Sequence, residues 1–199
     1  PSIASIYIII RNILSAPLKY FGILRIYSLS KSIGMKNALI RLFTEKSGIP
    51  IKRYSKITEN IYVGAQYKKI GLKIIHSWDI DMIISLRDEE IPNLYNIQIN
   101  NLHLPTIEFK PLSLDLLIKG SNQIHDCIRN KQNVYIHCRE GVSRAPCLVA
   151  AYLIKTGLSI DESINLIKKS RPFINILENQ ITSLKNYETY LKNLNNKKP

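Results

Sequence analysis

The spacing of apolar positions changes along the chain in a way that separates strands from helices. Residues 61–63 (Ile-Tyr-Val) form a short β-favouring run stopped by Gly64, and residues 82–86 (Met-Ile-Ile-Ser-Leu) are apolar enough for a strand buried on both faces. Residues 97–104 alternate in part and read as a third strand, and residues 133–136 (Asn-Val-Tyr-Ile) as a fourth. Helical spacing fills the gaps. Ile70, Ile74 and Ile75 mark a helix over 67–76 with a turn allowed at Gly71, and Leu114, Leu117, Ile118, Ile124 and Ile128 mark one over 113–129. Pro105 and Pro111 edge the loop before that helix. An Ala/Leu/Val-rich helix covers 145–155. The capping box Ser159-Ile-Asp-Glu162 opens a helix that should end near Pro172, and a last helix spans about 177–194. The tail, 195–199, is expected to fray. This order predicts an α/β fold, a central mixed sheet flanked by helices, preceded by an extra basic N-terminal helical segment.

That front segment differs from the rest. Residues 1–44 contain no acid, and their apolar runs (3–10, 13–18, 20–24) are broken by Arg11, Lys19, Arg25 and Lys31. The longest uncharged run, ten residues, falls short of the roughly 20 apolar residues that span a bilayer. The basic residues follow the first apolar run instead of preceding it, which is the wrong order for a secretory signal. Three readings stand side by side. Residues 1–50 lie on an anionic membrane as a basic amphipathic helix, or they form an organelle-targeting segment, or they pack on the rest of the chain with their basic edges in water. Gly34, Gly48 and Pro50 punctuate the exit, so the boundary is drawn near residue 55, with a second, larger domain over 56–194.

Charge sharpens this division. The net +13 is made of ten Lys/Arg against Glu45 alone in residues 1–56, a net +9, and eighteen Lys/Arg against fourteen acids in residues 57–199, a net +4. The mildly basic larger part lacks the basic, aromatic-interleaved face of a nucleic-acid binder, so no nucleic-acid partner is expected. Three cysteines, Cys127, Cys138 and Cys147, are an odd number without disulfide or zinc spacing, which favours a reducing, cytoplasmic setting. Cys127 and Cys147 fall in apolar helical surroundings and read as core fillers.

The chemistry concentrates in His137-Cys-Arg-Glu-Gly-Val-Ser-Arg144, between the fourth strand and the helix at 145–155. A strand, tight loop and helix aim backbone N–H groups and a positive helix end at one spot. Cys138 there would be ringed by the N–H groups of Arg139, Glu140, Gly141, Val142, Ser143 and Arg144, a setting that can lower a thiol pKa to about 3.5–7.5. Arg144 can hold two phosphate oxygens through its planar fork. Gly141 permits the backbone geometry of a small anion cradle. His137 is read as orienting the loop through hydrogen bonds and not as an acid or base. These residues predict a cysteine-nucleophile phosphatase.

His-Cys-x-x-Gly-x-x-Arg resembles the signature of the protein tyrosine phosphatases, and this form of it resembles the dual-specificity subclass. The similarity extends over about 57–190, taking in Asn60-Ile-Tyr-Val-Gly64, residues 83–86 and Ser170-Arg-Pro172, and leaves 1–55 uncovered. The resemblance implies a cysteinyl-phosphate intermediate on Cys138, phosphorylated protein substrates, and neither metal nor organic cofactor. It also implies a general acid some thirty residues before the cysteine. The family's aspartate is replaced here by Glu108, within Leu104-Pro-Thr-Ile-Glu-Phe-Lys-Pro111, while nearby Asp115 reads as a solvated helix residue. Where the family has Ser or Thr after the arginine, this chain has Ala145. Both departures predict slow turnover and keep open a phosphoprotein-binding pseudophosphatase. A phosphatidylglycerophosphate or phosphoinositide phosphatase is a further alternative, because the front segment is basic and residues 105–108 resemble the lipid-acting mitochondrial type. Glu140 in the loop weighs mildly against a phosphoinositide.

Overall fold

A computed structural model describes residues 22–89 and 99–196. The expectations for the apolar runs before residue 22, for residues 97–98 of the third strand and for residues 197–199 of the tail lie outside the described residues. The chain divides into two compact units, Pro1–Leu42 and Phe43–Pro199. In the first, residues 22–33 (α1) are helical and Gly34, at φ 79°, separates them from α2 (Met35–Ser47), which runs on into the second.

The second unit is built on four strands, β1 (Ile61–Gly64), β2 (Ile80–Ser85), β3 (Asn100–His103) and β4 (Asn133–His137), in the order β1-β4-β2-β3. All pairs are parallel, and the antiparallel part of the expected mixed sheet is confined, among the described residues, to the isolated bridge Lys56–Tyr62. The fold is the α/β arrangement that the apolar pattern predicts. Helix α3 (Lys52–Ser55) leads into β1, and α4 (Lys69–His76) crosses from β1 to β2 with Gly71 inside it. Helix α5 (Leu114–Arg129) starts at Ser113, whose hydroxyl accepts the Leu116 N–H, and α6 is Arg144–Lys155. Helix α7 (Ile160–Ser170) opens on the Ser159–Glu162 capping box, and α8 is Glu178–Asn195. Two ends differ slightly from expectation: α7 stops at Ser170, where the approach to Pro172 breaks it, and β3 starts only at Asn100.

Register sets the position of the site. Gly64 of β1 and Ser85 of β2 both pair with His137, so three strands end at one level and their following loops meet there. Ligands of open parallel sheets bind at this carboxyl edge. One face of the sheet carries the main core, where α6 is buried from Arg144 to Ile154 among α5, α7, α8 and the strands. A helix apolar all round can only be internal. Cys127 and Cys147 are fully buried within this core, as their sequence surroundings indicate, and burial pushes the Cys147 thiol up to about 12. The opposite face packs Leu72 and Ile75 of α4 against Ile83, Tyr135 and the stacked Tyr62–Trp78 pair.

Candidate active site

The loop after β4 is shaped from outside, by what holds its carbonyl oxygens. The Gln66 N–H donates to the Arg139 carbonyl at 3.1 Å, and the Asn175 N–H to the Val142 carbonyl at 2.8 Å. Between them, Arg171 donates from Nε to the Gly141 carbonyl at 2.6 Å and from its guanidinium to the Glu140 carbonyl at 3.1 Å. In a trans peptide the C=O and the following N–H point in opposite directions. Four carbonyls held outward therefore turn the N–H groups of Glu140, Gly141, Val142 and Ser143 inward. The orphan donors of the first turn of α6 lie at the same place. The result is a ring of donors around Cys138, which is 3% exposed.

Two glycines are required by contact. Gly141 has φ 66°, and a Cβ there would lie 2.3 Å from the Gly64 carbonyl oxygen. A Cβ on Gly64 would lie 1.7 Å from the Tyr135 hydroxyl, which passes over it to donate to the Ala65 carbonyl at 3.0 Å.

Arg144 is 3% exposed and donates to the Leu86 carbonyl at 3.2 Å and the Thr106 carbonyl at 2.5 Å. These bonds tie the end of β2 and the loop of residues 104–113 to the donor ring. Glu108, on that loop, accepts from Arg139 at 3.0 Å and lies 4.0 Å from the Arg144 guanidinium. The bonded carboxylate holds the Arg139 guanidinium above its ordinary pKa. Asp115, by contrast, is exposed in the first turn of α5. His137 is fully buried, with Tyr67 edge-on at 5.1 Å and Tyr135 at 6.1 Å. Its Nδ1 reaches only the Cys138 carbonyl, at 3.4 Å, and its Nε2 is buried without a hydrogen-bond partner. Burial lowers its pKa to about 4, so the ring is neutral and is positioned mainly by packing.

Two residues of this arrangement had no role in the sequence reading. Arg171, 1% exposed, anchors the donor ring as described. Gln180, fully buried on α8, accepts the Ser143 hydroxyl at 2.6 Å and donates to the Lys110 carbonyl at 3.2 Å. The Ser143 proton is thus committed to Gln180 and not directed at Cys138. Asn179 adds a bond to the Phe109 carbonyl at 2.9 Å. Arg171 lies within the Ser170-Arg-Pro172 stretch that the resemblance takes in, but thirty-three positions after Cys138 nothing local assigns it a task, and Gln180 sits in a polar stretch of helix.

The loop thus brings together a buried cysteine, a ring of N–H donors, an arginine and a carboxylate. Residues 61–190 match the model of the dual specificity phosphatase catalytic domain, and the chain belongs to that family, within the protein tyrosine phosphatases. It is a phosphatase, whose substrates are phosphorylated molecules. The "Putative tyrosine phosphatase 123R" of Invertebrate iridescent virus 6 is 32% identical over 143 residues, covering 71% of this chain and 96% of that protein. The human "Phosphatidylglycerophosphatase and protein-tyrosine phosphatase 1" is 28% identical over 145 residues, covering 67% of this chain and 72% of the relative. The crystal structure of PTPMT1 in complex with PI(5)P is 26% identical, with a TM-score of 0.63 over 70% of this chain and 96% of that one.

Proposed function

We propose that the protein removes phosphate from phosphotyrosine, phosphoserine and phosphothreonine proteins through a phosphocysteine on Cys138. The substrate's phosphate dianion seats against the inward N–H groups and Arg144. The Cys138 sulfur attacks phosphorus, the P–O bond to the leaving group breaks, and Glu108 gives its proton to the departing oxygen. Glu108, now a carboxylate, takes a proton from water as that water attacks the phosphocysteine. Phosphate leaves and the cysteine sulfur is restored. The steps balance with water as the only co-reactant. Ala145 offers no hydroxyl to the departing sulfur, and the Ser143 proton is engaged elsewhere, so the second step is the slow one.

The observation that supports the protein-substrate reading is the exposed loop beside Glu108. Ile107 and Phe109 are 64% and 70% exposed on it, and such apolar side chains suit contact with the residues that flank a phosphorylated side chain. A phospholipid substrate is the second reading, favoured by the human relative's name. A reducing compartment suits a free nucleophilic thiol. The test is phosphate release from phosphotyrosine and phosphothreonine peptides and from phosphatidylglycerophosphate, for the wild type and Cys138→Ser. Faster release from peptides, abolished by the substitution, is expected. Faster release from the lipid overturns the substrate reading, and turnover by Cys138→Ser overturns the nucleophile.

A further inference from the structure

Helices α1 and α2 carry exposed apolar side chains that no other described residue covers. On α2, Met35, Leu39 and Phe43 follow one another at intervals of four and are 53%, 49% and 49% exposed. Residues spaced in this way lie along one side of a helix. On α1, Ile23 and Tyr27 have the same spacing and are also exposed, with Leu24 beside them. The rest of α2 is not polar in compensation, since Ala38 is buried and Ile40 and Leu42 are partly buried. A helix with apolar residues on two sides lacks one of its coverings.

Charge indicates what the covering is. Residues 1–44 contain six Lys/Arg and no acid. Lys36 is exposed beside Met35, and Lys31 places its ammonium 4.6 Å from the centre of the Tyr27 ring. An apolar groove on another protein gives no reason for so one-sided a charge. A bilayer with anionic headgroups does, because the apolar stripe enters the acyl boundary while long lysine stems reach back to the phosphates. Among the described residues no helix is long and apolar enough to cross a membrane, so such a helix would lie in the surface.

We propose that the Met35/Leu39/Phe43 stripe of α2, with Ile23 and Tyr27 of α1, docks on an anionic membrane surface. The C-terminal end of α2 is fastened to the catalytic unit, where Lys68 donates from Nζ to the Lys46 carbonyl at 2.7 Å and from its backbone N–H to the Gly48 carbonyl at 3.3 Å. Docking would tether the catalytic unit to the surface through the continuous chain of α2, whether its phosphate comes from a protein or from a lipid, and the proposal stands apart from the substrate reading.

The experiment is co-sedimentation of the full chain with vesicles of phosphatidylcholine alone or mixed equally with phosphatidylglycerol, alongside phosphate release from a soluble aryl phosphate. The wild type should partition to the mixed vesicles and only weakly to the neutral ones. Leu39→Glu with Phe43→Glu, and separately Lys31→Glu with Lys36→Glu, should each weaken that partition by about tenfold or more, with the soluble-substrate rate unchanged. If the glutamates at 39 and 43 lower that rate, serines at the same positions supply the test. The proposal is overturned by equal binding to both vesicle types, by no binding to either, or by binding that survives these substitutions. A dimer that ignores vesicles and dissociates on Leu39→Glu with Phe43→Glu would also overturn it, by showing that a second copy covers the stripe.

Discussion

The donor ring and the Glu108 loop face each other across the same opening, yet they are held by different means. In the ring four successive carbonyls are occupied, two by the backbone N–H groups of Gln66 and Asn175 and two by the single buried side chain of Arg171. The Glu108 loop hangs on side chains reaching in from elsewhere: Arg144 at Thr106, Asn179 at Phe109 and Gln180 at Lys110. Phe109 also sits at φ 65°, a left-handed conformation that costs a non-glycine residue of order 1 kcal/mol or more. In the proposed mechanism, phosphate binding would rest on buried, preorganised geometry, whereas proton delivery would rest on a few side-chain contacts beside exposed Ile107 and Phe109. The difference separates affinity for phosphate from leaving-group chemistry.

The sharpest way to break this contrast is at Arg171. Arg171→Met frees two loop carbonyls to turn inward, and the rate on every substrate should fall by about 10²-fold or more. Unfolding in urea should show a loss of about 3 kcal/mol, because buried acceptors of a charged donor are left unpaired. At the other region, Glu108→Ala should slow phosphate esters of poor leaving groups by about 10²-fold while sparing activated aryl esters. Equal loss on both would remove Glu108 as the acid. Gln180 joins the two regions, and Gln180→Leu should lower kcat by about tenfold with little change in KM, taking one hydrogen bond from each side. Gln180→Glu, which keeps the acceptor for Ser143 and loses the donor to Lys110, should recover part of it.

A last effect is read from stability against pH. His137 is neutral in the fold, with its pKa lowered to about 4 by burial, whereas in the unfolded chain it takes up a proton near its ordinary value of 6.5. Between these values the unfolded state binds the extra proton, so stability should fall as the pH drops from 6.5 toward 4, by up to about 1.4 kcal/mol per pH unit, and level off below that. The difference between the wild type and His137→Gln in urea midpoints across this range isolates the contribution from that of other groups.

What the sequence made legible follows the distance over which each feature is determined. Cys138, Gly141 and Arg144 lie within one loop between an apolar strand and an apolar helix, and that local context is enough to read them. Glu108 is readable only through the family resemblance, since its nearness to Arg144 depends on register between β2, β3 and β4. The roles of Arg171 and Gln180 are not legible from the chain, even with Ser170-Arg-Pro172 in the resemblance, because their work is to satisfy particular carbonyls and a hydroxyl after packing has closed. The all-parallel pairing likewise depends on crossovers that apolar spacing does not encode.

The guanidinium that shapes the donor ring has a third attachment. Besides the Glu140 and Gly141 carbonyls, Arg171 donates to the carbonyl of Tyr54 at 2.9 Å, across 117 positions of sequence. Tyr54 lies ahead of the matched family region, which begins at residue 61. A chain trimmed to that region would leave a buried cation with an empty bond and a loosened ring. The functional boundary of this enzyme therefore lies upstream of its recognisable one, and deletions from the front should be tolerated only until they reach the segment that supplies this carbonyl.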